Sequence, residues 1–239
     1  MKTRFGHFSL MLALLGTAMG GCAATGAAPD RSPGGSGELA GRPQAPAAGR
    51  EVRILIAYHS RTGSTEKMAQ GVAEGVRRVP GAVALIRRIG EVSKEDLQTA
   101  DGIILGSPTY YANIPGEMKV IIDDWSWKMK VDFTDKVGGA FATAGGQEGG
   151  QQHVVVSLLL FMIHNRMVVA GPLYRNETTG SIWAEGGAAA ITGPLDPGIG
   201  EAELDGARRL GERVARLAVR LSQTTSISGR QPATAKHEP

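Results

Sequence analysis

A chain of 239 residues with a formal net charge of +3 can build one good-sized hydrophobic core. It is too short for a second enzyme domain, since domains run to about 100–200 residues. The charge is small and dispersed and no basic patch carries interleaved aromatics, which excludes nucleic acid as a partner. The one cysteine, Cys22, excludes a disulfide framework or a cysteine-rich metal site within the chain.

Residues 1–22 have the layout of an export signal. Lys2 and Arg4 form a basic start, and Phe8 to Ala18 is an apolar run shorter than the roughly 20 residues a bilayer requires. Gly20 and Gly21 then lead into Cys22. A cysteine after small residues resembles the box of bacterial lipoproteins, whose thiol is acylated to become the new N-terminus, although Met19 departs from the usual Leu. The expectation is an exported, membrane-anchored lipoprotein of the cell envelope, held to the membrane only through a lipid on Cys22. An ordinary cleaved signal, or a cytoplasmic protein with a misread start, remain as alternatives. Residues 23–50 are Ala, Gly, Pro and Ser with scattered charges, too poor in large apolar groups to offset the entropy of ordering, so they read as a disordered linker. Residues 222–239 read as a disordered tail.

Between them, over 51–221, strand and helix signals alternate. Val52 to Tyr58 is a near-continuous apolar run of strand length, the pattern of a strand covered on both faces. Thr65 to Val79 places Met68, Val72 and Val76 on one helical face, and Pro80 and Gly81 stop it. Ala82 to Arg88 suits an outer strand, Ser93 can cap a short helix to Ala100, and Gly102 to Gly106 is the next buried strand. Gly116 to Trp127 reads as a helix, Val137 to Thr143 and Met167 to Ala170 as strands, and Glu201 to Leu221 as the final amphipathic helix. Val154 to Ile163 is almost wholly apolar, so a helix there is either sandwiched inside the domain or buried against another subunit. Five strands alternating with helices imply a doubly wound parallel α/β sheet.

The loop after the first strand, Ser60-Arg61-Thr62-Gly63-Ser64-Thr65, is rich in hydroxyls and opens a helix. Free N–H groups, side-chain hydroxyls and the helix dipole together favour a phosphate dianion, and Gly63 lets the backbone curl close to it. The plainer reading is a turn whose Ser and Thr merely cap the helix. Tyr58-x-Ser60-x-x-Gly63-x-Thr65 resembles the flavodoxin fingerprint, departing from it at Ala57. That resemblance implies a flavodoxin-like five-stranded sheet of order 2-1-3-4-5, with FMN at the carboxyl ends of the strands.

Two further loops extend the resemblance. Pro108-Thr109-Tyr110-Tyr111-Ala112-Asn113 follows the third strand and is similar to the Pro-Thr-aromatic-Gly-Asn-Met loop of the flavodoxin-like NAD(P)H:quinone oxidoreductases, the family of the tryptophan-repressor-binding protein. By that likeness it lines the isoalloxazine, with Ala112 where the family has Gly and Tyr110 where its best-known members have Arg. Plain core or interface packing is the other reading of the tyrosines, and Trp125, Trp127 and Trp183 read as structural. Thr143-Ala144-Gly145-Gly146, with Gly149 and Gly150 beyond, is similar to the family's Ser-Thr-Gly loop. His164 ends the long apolar helix, where the family places a histidine near the flavin of a neighbouring subunit; a helix-end cap is the alternative. Gly186 to Pro194 echoes a late family segment, and the family's insertion after the second strand is absent.

The likeness implies an FMN enzyme that transfers two electrons from NAD(P)H to a quinone or similar acceptor, in a homo-oligomer, with His164 catalytic and no metal required. A one-electron flavodoxin-type carrier is the second reading, set against a sequence pI near 9.1 where such carriers are acidic. The third is an exported lipoprotein that keeps the fold without the flavin and acts as a binding module.

Overall fold

In strand β1 (Val52–Tyr58) the side chains alternate between two cores, because successive residues of a strand face opposite sides of the sheet. Leu55 and Ala57 join one apolar cluster with Leu97, Met118, Ile122, Trp125 and Leu158. Ile54, Ile56 and Tyr58 join the other with Met68, Val72, Val76, Leu210 and Val214. Burial on both faces explains why β1 reads as an unbroken apolar run. The computed structural model describes residues 50–146, 149–172, 186–193 and 198–227, with side chains to Gln223. The expected signal peptide, the linker up to Gly49, Trp183, Pro194 and the tail beyond Ile227 lie outside the described residues.

The elements follow in chain order as α1 (Ser64–Arg77), β2 (Ala82–Arg88), α2 (Lys94–Thr99), β3 (Gly102–Pro108), α3 (Gly116–Trp127), β4 (Val137–Ala144), α4 (Gln151–His164), β5 (Val168–Val169), β6 (Ala188–Ile191) and α5 (Glu201–Ile227). The sheet is parallel with strand order β2-β1-β3-β4-β5, and β6 also pairs with β4. The expected doubly wound order is therefore present, with one refinement: the fifth position is shared by two short strands. β5 pairs with Val137 and Gly138 at the start of β4, and β6 with Phe141 to Ala144 at its end.

Local signals account for most of the boundaries. Ser93 and Asp96 close a reciprocal capping box at α2. α1 starts at Ser64, behind Gly63 in the left-handed conformation (φ 92°). Gly106 sits inside β3 because the ring of Phe141 covers it; a Cβ there would come within 2.0 Å of that ring. α5 runs six residues past the expected Leu221, to Ile227. Of the two readings of α4 the structure removes the first: Val154, Val155, Leu158 and Met162 are buried, but Val156, Leu160 and Ile163 are about half exposed, so the helix is not sandwiched within this chain. Trp125 is buried in the core, whereas Trp127 is exposed and carries Lys130 over its ring.

Helices α1 and α5 cross with almost no side chain between them. A Cβ on Gly75 would lie 1.9 Å from the Arg208 carbonyl oxygen, and one on Gly211 would lie 2.0 Å from that of Val72. Lys67 adds a bond from Nζ to the Ile199 carbonyl at 2.7 Å. This close crossing fixes α1, and so the end of α1 that faces the site. Gly75→Ala should destabilise the protein by about 2–3 kcal/mol through overpacking, although alanine gains about 1 kcal/mol in helix propensity. Gly206→Ala, where a Cβ meets nothing within 4 Å, should instead stabilise by about 0.5–1 kcal/mol. Urea-unfolding midpoints of the two variants should move in opposite directions.

Candidate functional site

The strands end together. Tyr58 is in register with Gly106, and Pro108 with Thr143, so the loops after β1, β3 and β4 leave the same edge of the sheet side by side. Helices α1, α3 and α4 begin at that edge, each turning its positive dipole end toward it.

In the first loop the His59 N–H donates to the Gly106 carbonyl (2.9 Å) and the Gly63 N–H to Ser60 Oγ (3.1 Å). No side chain caps α1. The first intrahelical bond runs from Lys67 N–H to the Gly63 carbonyl (2.9 Å), so the N–H groups of Ser64, Thr65 and Glu66 have no acceptor within the helix. Ser60 and Thr65 are buried, Ser64 is half-buried, and Arg61, Thr62 and Gly63 are exposed.

The second loop turns back on itself. Tyr110 and Asn113 exchange both backbone bonds (2.9 and 3.0 Å), leaving Tyr111 and Ala112 as a two-residue tip with φ of 49° and 61°. Such turns favour Asn-Gly, because a side chain in the left-handed region costs about 1–2 kcal/mol. Tyr111 is fully exposed. Thr109 donates its N–H to the Thr143 carbonyl (2.8 Å), and its Oγ1 is buried without a hydrogen-bond partner.

The third loop is closed behind and open in front. Thr192 N–H donates to the Ala144 carbonyl (2.7 Å), and Gly193 backs so closely on Gly145 that a Cβ would lie 1.8 Å from its carbonyl oxygen. A Cβ on Gly145 or Gly146, by contrast, would meet nothing within 4 Å. Gly150 (φ 90°) lies against Ala112, which brings the second and third loops into contact. Thr143 Oγ1 and Thr65 Oγ1 are 2.9 Å apart and buried, joining the third loop to the first.

All sixteen expected binding residues, from Ser60 to Thr65, Pro108 to Asn113 and Thr143 to Gly146, thus share one edge. His164 does not. It ends α4, whose fourteen residues span about 21 Å, and the chain beyond it leads back to the start of β4 through Val168 N–H and the Lys136 carbonyl (3.0 Å). A part for His164 at this site would require a second chain. His153, in the first turn of α4, and His59 do lie at this edge; sequence reasoning passed over His59. Its ring meets Tyr110 edge-on (6.3 Å between centroids), and its Nε2 lies 3.5 Å from Glu117 Oε1 without a hydrogen-bond geometry. Burial pushes its pKa below the ordinary imidazole value, while Glu117 pulls the other way with less effect. Arg61 donates to the same Glu117 oxygen (2.6 Å) and stacks over Tyr110 (5.3 Å). Glu117 and Arg88 were also missed, since pairings over such sequence separations leave no local signature.

This sheet order, with three loops gathered at its carboxyl edge, defines a flavodoxin-like α/β protein. Solved structures agree. A flavodoxin, WrbA-like protein from Agrobacterium tumefaciens superposes with a TM-score of 0.55 at 25% identity, covering 71% of this chain and 98% of that one. An archaeal flavodoxin at 20% identity, also at 0.55, shares the fold over 70% of this chain and 99% of its own. Residues 89–179 match the family model described as NADPH-dependent FMN reductase. Among curated proteins, an NAD(P)H dehydrogenase (quinone) of Geobacter sulfurreducens is 32% identical over 205 residues, covering 72% of this chain and 100% of the relative. One from Geotalea uraniireducens is 33% identical over 206 residues, with the same coverage of both chains. The chain belongs to this NAD(P)H dehydrogenase (quinone) family.

The strained tip of the second loop yields a direct check. Ala112→Gly should raise stability by about 0.5–1 kcal/mol, because relief of the positive φ outweighs the added freedom of the unfolded chain. A lower unfolding midpoint in the variant would show that the turn is not left-handed at that residue.

Proposed function

We propose that the protein is an FMN-dependent oxidoreductase that transfers two electrons from NAD(P)H to a quinone. The observation that carries this reading is the convergence of the three loops on one edge, with donors suited to two different parts of one ligand. The residues present fit FMN. At the first loop, unpaired N–H groups, exposed Thr62 and half-buried Ser64 offer a phosphomonoester a set of donors. At the second and third loops, the buried unpartnered Thr109 hydroxyl and the open Gly145 and Gly146 suit a flat ring with a polar edge. Both the family model and the curated relatives are named for nicotinamide-dependent redox enzymes.

In this reading Ser60, Arg61, Thr62, Gly63, Ser64 and Thr65 hold the phosphate, while Pro108 to Asn113 and Thr143 to Gly146 hold the ring. FMN supplies the hydride chemistry when bound, and the protein orients it and leaves one face open to donor and acceptor in turn. Tyr111, standing free of the surface, is placed to contact whichever substrate occupies that face.

Two further parts of the reading concern assembly and location. Val156, Leu160 and Ile163 form an exposed apolar stripe on α4, spaced to pack against a second copy of the chain, and His164 lies beside it. Leu160→Glu should convert an oligomer to a monomer in sedimentation; a monomeric wild type would refute the pairing. Export with a lipid on Cys22 accounts for the N-terminal segment, and no helix among the described residues is long and apolar enough to cross a membrane. The mass of the mature N-terminus decides that point.

For the cofactor, the protein should bind FMN in one-to-one ratio. Replacing Gly63 by Val should weaken binding by about a hundredfold or more, since a β-branched residue cannot hold a φ of 92° without strain. NADPH should then bleach the bound flavin and benzoquinone restore its colour. A protein left colourless after excess FMN would end this assignment.

A further inference from the structure

Arg88 braces the phosphate-type loop from its outer side. Arg88, the last residue of β2, stands in register with Tyr58, the last of β1. Its Nη1 donates to the Ser60 carbonyl (3.0 Å), its Nη2 to Glu66 Oε2 (2.6 Å), and its guanidinium carbon lies 5.5 Å from the centroid of the Tyr58 ring. The end of β1, the loop and the first turn of α1 therefore meet on one guanidinium.

The two acceptors that Arg88 engages have the wrong sign for an anion site. A peptide carbonyl turned inward would repel a phosphate. Glu66 is the greater threat, because a carboxylate in the first turn of a helix is itself an anion suited to the helix N-terminus, and so competes with any ligand for the same field. Bound to Arg88, it is neutralised and held on the β2 side. The other cation of this loop, Arg61, is engaged by Glu117 across the second loop and cannot take over. A planar fork that bonds two acceptors while stacking on a ring is a task for arginine, since the compact ammonium of lysine cannot satisfy all three at once.

We propose that Arg88 is a positioning residue for the cofactor phosphate, which keeps the Ser60 carbonyl and the Glu66 carboxylate away from the cradle so that only donors face it. The inference rests on FMN being the cofactor. It separates recognition of the phosphate from recognition of the ring, which riboflavin, bearing the same ring without the phosphate, makes measurable.

The experiment is a fluorescence titration of the full-length apoprotein with FMN and with riboflavin. Arg88→Ala should weaken FMN binding by roughly tenfold or more and leave riboflavin within about twofold, so the selectivity between them collapses. Arg88→Lys should recover only part of the loss. Adding Glu66→Gln to Arg88→Ala should recover several-fold, because the competing charge is gone. Equal loss of both ligands in Arg88→Ala, or no loss of either, would overturn the proposal. Should that variant not fold, Arg88→Lys decides: FMN should bind several-fold more weakly with riboflavin unchanged, and an unaltered ratio overturns the role. A wild type that binds neither ligand fells the cofactor reading and Arg88 with it, whereas a wild type that binds FMN beside an unaffected Arg88→Ala fells only Arg88.

Discussion

Thr143 is the joint on which the site depends. Its carbonyl accepts the Thr109 N–H and its hydroxyl meets that of Thr65, so the last turn of β4 is bonded to the loop after β3 and to the first turn of α1. Both hydroxyls are buried, where an unpaired one would cost about 1–3 kcal/mol, and each is the other's partner. Three segments far apart in sequence are held to one another at the one edge where helices α1, α3 and α4 begin. Valine would fill the same space at position 143 and leave Thr65 without its partner.

The ordering of the loops needs the helices behind them to be fixed as well. Backbone-to-backbone contact at Gly75 and Gly211 leaves α1 no room to slide against α5. The front of the site is looser by design: Gly145 and Gly146 face open space, and the left-handed Tyr111 and Ala112 carry strain that only the surrounding bonds hold in place. Rigid support behind a thin, strained rim is what a site needs if a planar group is to lie against backbone while substrates exchange in front of it.

Much of this was legible in the sequence, and the failures have physical causes. The spans of β1, β2 and α3 follow from apolar runs with hard stops, which are local. The positions of the loops were legible because glycine and hydroxyl residues mark where a strand hands over to a helix. β6 was not, because Gly-Ala-Ala-Ala-Ile has little strand propensity; it is a strand only because Phe141 to Ala144 offers it a free edge. The last residues of α5, Ser222 to Ile227, hold one apolar residue in their sequence, so no apolar periodicity announced them. His164 was expected, by likeness, near the flavin of a neighbouring subunit, and a parallel sheet puts the C-terminus of a following helix at the edge opposite this chain's own loops, so that expectation concerns a second chain. His59, Arg88 and Glu117 could not be found, for their roles exist only once β1, β2 and α3 are side by side.

The distribution of charge around the first loop also bears on what kind of redox protein this is. Both of its flanking arginines are engaged by carboxylates, Arg61 by Glu117 and Arg88 by Glu66, so the cradle presents dipoles and hydroxyls rather than net charge. Holding a dianion by dipoles ties its affinity to geometry, since each donor must point correctly, and makes it less sensitive to screening than a pair of exposed charges would be. Over residues 50–221 the 20 Lys and Arg balance the 20 Asp and Glu, so the domain as a whole is neutral as well. A carrier that docks by a strongly acidic rim would need a net negative domain, and this neutral balance does not supply one.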